Sequence, residues 1–309
     1  MKRTIAVGTG LILLAALAFQ LGFRGGPLTA PPPWSGPAPD RSAVPQALSL
    51  HVLPAGRMLT RAGLSFRGGS FAEERVFGMD VLLIRHPRGD LLIDAGFGRD
   101  IDAHFLTTPL SMQLSARYES ERPVADQLQA AGLDPASLSG VLLTHAHWDH
   151  VSGLADLSGV PVWVSEAELA FARSDDEATR LARQIGLEHW RGFDFPDGPH
   201  LGFERSRDWF GDGSVVVVPA AGHTPGSVIV FVHRRGGQSL ALIGDTAWQR
   251  EGVEWPVDRP WPIRRLIGED DEAVRRQLRQ LHALGAAMPL LRMLPSHDRR
   301  QWQGIPALR

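Results

Sequence analysis

The stretch "LLTHAHWDHVSGL", residues 142–154, places three histidines and an aspartate within six positions. His145, His147, Asp149 and His150 directly follow an apolar run and precede a Ser-Gly turn. The chain of 309 residues has only 12 histidines, so this local density requires an explanation. A solvated polar loop and one half of a metal site are the two interpretations, and the rest of the chain decides between them.

Composition narrows the classes of partner and of metal ligand. The chain is 43% hydrophobic and 21% charged, which is typical of a globular domain. Its net charge is −2, with both signs interspersed, so no basic stripe is present and nucleic acid is not an expected partner. There is no cysteine, so any metal must be held by nitrogen and oxygen atoms.

Residues 1–24 are typical of an export signal. Lys2 and Arg3 precede an uncharged apolar stretch, residues 4–23, and residues 16–18 (Ala-Leu-Ala) fit a cleavage site. We therefore expect an exported protein, periplasmic or secreted. An uncleaved inner-membrane anchor formed by residues 4–23 is the alternative. The lack of cysteine excludes a lipoprotein anchor.

The remainder divides into a linker and one folded domain. Residues 25–46 are rich in proline and glycine and predict an extended linker. In the predicted domain, residues 47–309, apolar strand patterns alternate with helical ones. Residues 79–86 and 91–96 predict a hairpin, and residues 269–284 predict the clearest helix. This order indicates an α/β fold, with sheets that carry helices on their outer faces.

Polar residues recur just beyond the C-terminal ends of the predicted strands. Besides the histidine-rich loop, Asp94, His223, Asp245 and His297 all have this position. Strands that bring such residues to a common edge build a site from loops on a rigid scaffold. Together the loops offer five histidines and two aspartates, enough for two metal ions that share one carboxylate. The metal interpretation of the quoted loop is therefore favoured.

These motifs resemble the metallo-β-lactamase superfamily of αββα metallohydrolases. The resemblance rests on "THAHWDH", "GHTPGS", "GDT" and "PSHD" in this order, preceded by "LLIDAG", and covers residues 47–309. It implies two mixed sheets with helices on their outer faces. The metal ligands it implies are His145, His147 and His223 for the first ion, Asp149, His150 and His297 for the second, and Asp245 as the bridge. Asp94 would stabilise the ligand loops, although a plain turn aspartate is the alternative.

Differences between this sequence and individual branches of the family narrow the range of expected activities. The oxygen-reducing diiron branch carries an acid where this chain has His147, and secreted β-lactamases with the same loop lack the aspartate found here as Asp245. The chain resembles the N-acyl-homoserine lactonases and their exported hydrolase relatives. The lactonases place a tyrosine three residues after the bridging aspartate, where this chain has Trp248. An indole N–H can donate a hydrogen bond but cannot accept one.

The resemblance implies an exported dinuclear hydrolase in which a metal-bridging hydroxide cleaves a lactone or another ester-type bond of a small molecule. Asp149 would be the catalytic proton carrier. Zinc is the expected metal, with iron or manganese as alternatives, and no oligomeric state is predicted. The alternative functions are a β-lactamase, a glyoxalase II-like thioesterase, an organophosphate hydrolase and, in another class, a non-catalytic metal- or ligand-binding protein.

Two segments are candidates for selecting the substrate. Residues 248–262 hold three tryptophans, which either wall an apolar pocket or pack a proline-rich loop onto the core. Residues 99–122 contain the only tyrosine, Tyr118, and are a candidate lid.

Overall fold

The computed structural model describes residue 17 and residues 20–309. The predicted export segment therefore lies largely outside the described residues. Within the described residues, no helix combines the length and the apolar composition needed to cross a bilayer.

Seven strands form the first sheet, in the spatial order β4-β1-β2-β3-β5-β6-β7. Their bounds are β1 Ser49–Arg61, β2 Glu74–Arg85, β3 Leu91–Ile93, β4 Arg117–Ser120, β5 Gly140–Leu142, β6 Val162–Ser165 and β7 Trp190–Phe193. The pairs β1–β2, β1–β4 and β2–β3 are antiparallel, whereas β3, β5, β6 and β7 run parallel. The sheet is therefore mixed, and its β2–β3 hairpin confirms the one predicted from the sequence.

Five strands form the second sheet, in the order β12-β11-β10-β9-β8. Their bounds are β8 Arg207–Asp208, β9 Val215–Pro219, β10 Val228–Val232, β11 Ser239–Gly244 and β12 Leu291–Pro295. The pair β11–β12 is parallel and the other pairs are antiparallel, so this sheet is mixed as well.

Helices cover the outer faces of both sheets. The α-helices are α1 Ala62–Ser65, α2 Ile101–Phe105, α3 Leu110–Ser115, α4 Val124–Ala130, α5 Trp148–Val151, α6 Glu166–Arg173, α7 Arg180–Ile185, α8 Glu251–Glu254, α9 Trp261–Ile267 and α10 Asp271–Ala287. The long helix α10 begins after Asp270, whose side chain accepts hydrogen bonds from the N–H groups of Glu272 and Ala273. It confirms the helix predicted over residues 269–284.

Strand alternation builds the layers of the core. Successive side chains of a strand point to opposite faces. In β2, Leu82 and Ile84 accordingly pack between the sheets with valines of β9 and β10. Val81 and Leu83 instead pack beneath α4, α6 and α7. On the outer face of the second sheet, Leu278 and its helical neighbours in α10 cover Phe231 and Ile243. The predicted αββα sandwich is confirmed.

Residues 25–46, predicted as an extended linker, have no helix or strand, yet they lie against the domain. The N–H of Leu28 donates to the carbonyl of Pro256, at 2.8 Å, and the N–H of Trp34 donates to that of Ala283, at 3.3 Å. Both side chains pack against the outer core of the second sheet. Val44 is completely buried. The linker therefore contributes apolar contacts to the folded domain.

A histidine pair, with His233 buried and His200 partly buried, predicts acid lability. Nε2 of His200 lies 3.1 Å from Nε2 of His233, whose Nδ1 contacts the hydroxyl of Ser239. Burial lowers the pKa of His200 to about 4 and that of His233 to about 3. Because the unfolded histidines take up protons near pH 6.5 and the folded ones do not, stability is lost as the pH falls from 6.5 towards 4. We expect each histidine to cost roughly 2 kcal/mol of unfolding free energy between pH 7.5 and pH 5.

Urea unfolding of His200→Gln and of the unaltered chain at both pH values tests this expectation. The variant removes one titrating group and leaves the histidines of the strand-end loops in place. Its loss of unfolding free energy between pH 7.5 and pH 5 should therefore be smaller by roughly 2 kcal/mol. An equal loss in both proteins would contradict it.

Candidate metal centre

The predicted polar residues lie in loops that follow strands of both sheets. Asp94 directly follows β3, Asp245 directly follows β11, and His297 lies two residues after β12. The histidine-rich loop follows β5, and His223 lies between β9 and β10. Since β3 and β5 are parallel neighbours, as are β11 and β12, their loops leave each sheet at the same edge. The structure brings all of these residues together.

His145, His147 and His223 form the first group. One nitrogen from each lies within 4.8 Å of the others. Nε2 of His223 is 2.9 Å from Nδ1 of His147. The ring of His145 is nearly perpendicular to the rings of His147 and His223, at 82° and 81°, so the three imidazoles converge edge-on. The three donor nitrogens are therefore close enough together to bind one metal ion.

Asp149, His150 and His297 form the second group, whose donor atoms also lie within 4.8 Å of one another. Nε2 of His297 is 3.4 Å from Oδ2 of Asp149. His150 and His297 are buried, whereas the side chain of Asp149 is partly exposed. The carboxylate is therefore the member of this group that solvent or a substrate can reach.

Asp245 lies between the two groups. Its Oδ2 is 3.5 Å from Nε2 of His223 and 4.0 Å from Nε2 of His145. Its Oδ1 is 3.5 Å from Nε2 of His150 and 3.2 Å from Nε2 of His297. Nε2 of His297 is also 3.2 Å from Oδ2. The carboxylate therefore lies against histidines of both groups.

The outward ring nitrogens have fixed partners. Nδ1 of His150 is 2.9 Å from Oδ2 of Asp94, and Nδ1 of His297 is 3.0 Å from the carbonyl of Gly78. Nδ1 of His223 is 3.0 Å from Oε1 of Glu269. Such partners hold the Nδ1–H tautomer and leave Nε2 as an acceptor, which is how metal-binding histidines are usually held.

Asp94 joins two of the loops. Oδ1 accepts hydrogen bonds from the N–H of Thr144, at 2.7 Å, and from its hydroxyl, at 3.1 Å, while Oδ2 faces His150. The backbone of Asp94 has φ 63°, a left-handed conformation that is uncommon outside glycine and asparagine-like residues. This turn brings the carboxylate to the histidine-rich loop.

Glu168 is a further residue of the site that the sequence did not single out. It is buried in α6, and Oε1 accepts a hydrogen bond from the N–H of Ala146, at 2.6 Å. Oε2 accepts from the hydroxyl of Thr224, at 2.7 Å, and from the N–H of Gly226, at 3.0 Å. Burial raises the pKa of Glu168 to about 7, and these three donors favour the ionised form. One carboxylate thereby joins the loops that carry His145 and His223.

Arg259 and Glu269 were also not predicted. Arg259 is buried, forms an ion pair with Glu269, and lies over the ring of Trp248 at 4.7 Å. The only sequence signal was their proximity to the tryptophan-rich segment. The pair connects that segment to His223, because Glu269 is the partner of His223 Nδ1.

Of the three tryptophans in residues 248–262, only Trp248 contacts the cluster. Its indole N–H donates to Oδ2 of Asp245 at 2.7 Å. Trp255 and Trp261 are instead about half exposed and are not part of the buried core. Tyr118 donates its hydroxyl to Asp102 and packs on Phe97, which stacks on Trp148 beside the histidine-rich loop. Residues 99–122 therefore border the site through Trp148.

The electrostatics of the cluster fit metal binding. Burial, with the neighbouring imidazoles, lowers the pKa of His145 well below its ordinary value. For His150, burial is outweighed by carboxylates, first Asp94, which raise its pKa well above the ordinary value. The pKa of Asp245 is held well below its ordinary value by His297 and His150, against the effect of burial. In the metal-free chain, protons on histidines compensate the negative charge of the buried carboxylates. Bound cations would provide that compensation instead, and the protons would be released.

Unpartnered buried atoms indicate where cations fit. Nε2 of His145, Nε2 of His150 and Oδ1 of Asp245 are buried and have no hydrogen-bond partner. Buried polar atoms are nearly always paired, so three such atoms converging in one cluster require another partner. All three are lone-pair donors to a divalent cation, and the residues present therefore fit a metal centre.

The structure thus has two mixed sheets between helical layers, with a cluster of histidines and aspartates at one edge of the sheets. Residues 76–297 match the family described as "Metallo-beta-lactamase superfamily". This match covers more than two thirds of the chain and includes every residue of the two ligand groups. The chain belongs to the metallo-β-lactamase superfamily.

Two curated relatives illustrate the similarity. A protein of Mycobacterium tuberculosis named "Probable metallo-hydrolase" is 29% identical over 197 residues, which are 60% of this chain and 61% of that protein. The match thus spans about three fifths of the relative's length. An N-acyl homoserine lactonase of Bacillus thuringiensis is 23% identical over 217 residues, 66% of this chain and 78% of that protein.

Solved structures share the fold. An N-acyl homoserine lactone hydrolase with N-hexanoyl-L-homoserine bound at its catalytic metal center has a TM-score of 0.66 at 17% identity, covering 84% of this chain and 96% of that one. The dizinc quorum-quenching lactonase AidC has a TM-score of 0.57 at 16% identity, covering 84% and 89%.

Proposed function

We propose that the cluster holds two divalent cations and that the chain hydrolyses a lactone or another ester-type bond of a small molecule. The observation that carries this proposal is the position of Asp245, whose carboxylate lies against histidines of both groups, 3.5 Å from His223 and 3.2 Å from His297. A single ion needs no such shared carboxylate. Zinc is the expected metal, with iron or manganese as alternatives, and the similarity to lactonases supports the bond class.

The seven ligands would divide as their geometry groups them. His145, His147 and His223 would hold one ion, Asp149, His150 and His297 the other, with Asp245 between them. Divalent cations lower the pKa of water to near 7 and polarise a carbonyl oxygen. The chain's own residues supply the rest of the chemistry.

Asp149 is the proposed proton carrier. Its carboxylate is the more exposed of the two aspartates in the cluster, and Oδ2 lies 3.4 Å from His297. From this position it can accept a proton from the attacking water and deliver it to the leaving alkoxide. Asp245 is buried and surrounded by imidazoles, so it is less suited to this transfer.

Trp248 holds the shared carboxylate instead of the substrate. Its single N–H is used by Oδ2 of Asp245. Its ring lies between Phe77, at 5.5 Å, and the guanidinium of Arg259. The substrate carbonyl therefore receives no hydroxyl group from position 248, and its orientation must depend on the cations and on neighbouring loops.

We also propose that the chain is exported, as a periplasmic or secreted protein or one anchored in the inner membrane by residues 4–23. The support is the charge and apolar pattern of residues 1–24. Sequencing the N-terminus of the protein from fractionated cells tests this proposal. An intact N-terminus in the cytosolic fraction would contradict it.

Proton release by the zinc-loaded chain tests the bond class. The panel holds acyl-homoserine lactones, aryl esters, a β-lactam, a thioester and a phosphotriester. Turnover of lactones or esters supports the proposal, and turnover of another member alone moves the chain to the corresponding alternative. If no compound of the panel is hydrolysed, a non-catalytic ligand-binding protein is favoured.

Asp149→Asn is expected to lower kcat by about 10²–10⁴-fold, because the amide cannot carry the proton. The measurement pairs initial rates with metal content, so loss of an ion is distinguished from loss of the proton carrier. The exposed Asp175→Asn is the matched control and should retain full activity. An Asp149→Asn variant with two ions and unchanged kcat would contradict the assignment.

A further inference from the structure

Exposed apolar side chains are concentrated on one face of the molecule. Eleven large apolar side chains are exposed among the described residues, and six of them come from three segments that touch one another. We call this set the aromatic face. Its members are Leu17, Leu21, Phe71, Trp255, Trp261 and Leu266.

Contacts between the segments make the face continuous. The ring of Phe23 lies 5.1 Å from that of Phe71, and the N–H of Gly68 donates to the carbonyl of Phe23 at 3.1 Å. Gly22 lies against α9, since a Cβ added there would be 3.0 Å from Cδ of Pro262. On the other side, the ring of Trp255 is 5.9 Å from that of Phe66 in the turn after α1.

The exposure of this face is not explained by the metal centre. Trp255 and Trp261 are 53% and 49% exposed and Leu266 is 57% exposed, whereas Trp248 is the tryptophan that contacts Asp245. Apolar patches of this kind on a soluble surface usually mark an interaction site. The question is what covers them.

The position of the N-terminal apolar run indicates what covers the aromatic face. The uncharged apolar run of residues 4–23 ends on this face, because residues 20–23 pack against the turn after α1 and against α9. Tryptophan is enriched at the boundary between lipid and water, and arginine can extend from it to the headgroups. Arg24 is exposed, and the guanidinium of Arg265 lies 6.0 Å from the ring of Trp261.

We propose that the aromatic face lies against a phospholipid bilayer, with Trp255, Trp261 and Leu266 in the interfacial region. This contact is separate from any anchoring by residues 4–23, which would tether the chain without fixing its orientation. It is also independent of the proposed hydrolysis.

The lack of cysteine allows site-specific labelling of the full chain. Trp255→Cys and Leu266→Cys are each labelled with a nitroxide and reconstituted into phosphatidylethanolamine–phosphatidylglycerol vesicles. Leu290→Cys is the matched control. Leu290 is 72% exposed and precedes β12, so it lies at the end of that strand far from His297. Electron paramagnetic resonance then compares collisions with oxygen, which partitions into lipid, and with a water-soluble nickel chelate.

We expect the labels at 255 and 266 to lose nickel accessibility and to gain oxygen accessibility on reconstitution, while the label at 290 remains accessible to nickel. Equal nickel accessibility at all three positions would overturn the proposal, because a tether alone would give that result. Spin–spin broadening at 255 and 266 that persists in detergent would overturn it as well, since a second copy of the chain would then cover the face.

Discussion

Replacing Asp245 by asparagine should lower kcat/KM by more than about 100-fold and reduce the metal content from two ions to one or fewer. Loss of a residue that only supports a ligand already costs about 10–100-fold, and Asp245 faces both histidine groups itself. The amide of Asp245→Asn has one acceptor atom and no charge. One of the two groups would therefore face an N–H donor where it now faces a carboxylate oxygen.

Metal analysis after dialysis and initial rates at saturating zinc measure both effects. Asp212→Asn is the matched control, because Asp212 is also a carboxylate with little exposure that bonds a buried histidine, His86, at 3.0 Å. The control should lose some stability and keep both ions. If Asp245→Asn retains two ions and its activity, the shared-carboxylate geometry has no functional role and the dinuclear proposal fails.

The ligand residues could be predicted from the sequence because their signal is local. His145, His147, Asp149 and His150 occupy a fixed spacing in one loop, and the strand before them is a continuous apolar run. His223 stands in a short loop between two valine-rich strands that are equally recognisable. Buried strands that end at polar residues thus indicate both the sheet and the edge at which a site forms.

The longest strand was harder to predict, for a physical reason. β1, Ser49–Arg61, contains Pro54 and Gly56, which usually interrupt a strand. The register with β2 shifts between Pro54 and Arg57, so the strand accommodates both residues in an irregularity and continues. The continuity of β1 is evident only from its pairing with β2 and β4. The local sequence pattern does not specify that pairing.

The tryptophans of residues 248–262 also show the limit of local reasoning. Their spacing favoured a pocket wall and a packed loop about equally. Trp248 reaches Asp245, while Trp255 and Trp261 are about half exposed, Trp255 beside Phe66 and Trp261 beside Gly22. Which direction each ring takes depends on α9 and on the turn after α1, neither of which was predicted.

Among the residues described at the site, Glu168 is the one whose role is hardest to predict from the sequence. It stands two residues after Glu166 on the same short helix, at the third helical position after the N-cap Ser165, where a glutamate predicts a capping box and not a carboxylate that joins distant loops. That role arises from residues 22 and 56 positions away, Ala146 and Thr224, whose donors point at Glu168 alone. Its role is therefore a property of the packed fold and must be tested there.

Glu168→Gln should weaken zinc affinity by about 10–100-fold and lower the unfolding free energy of the metal-free chain by roughly 2–3 kcal/mol. The carboxylate accepts three hydrogen bonds with its two oxygens, whereas the amide presents an NH2 group to at least one of these donors. The mismatched donor stays buried and unpaired, and the loops that carry His145 and His223 lose their common attachment. Chelator competition measures the affinity, and urea unfolding measures the stability.

Glu166→Gln is the matched control, since Glu166 is exposed on the same helix and the exchange is chemically identical. It should leave both quantities unchanged within error. A Glu168→Gln variant that unfolds more easily but binds zinc as tightly as the unaltered chain would show that the carboxylate stabilises the core alone. Weaker zinc binding together with reduced stability would instead establish that Glu168 positions the two ligand loops relative to each other, because no atom of Glu168 belongs to either ligand group.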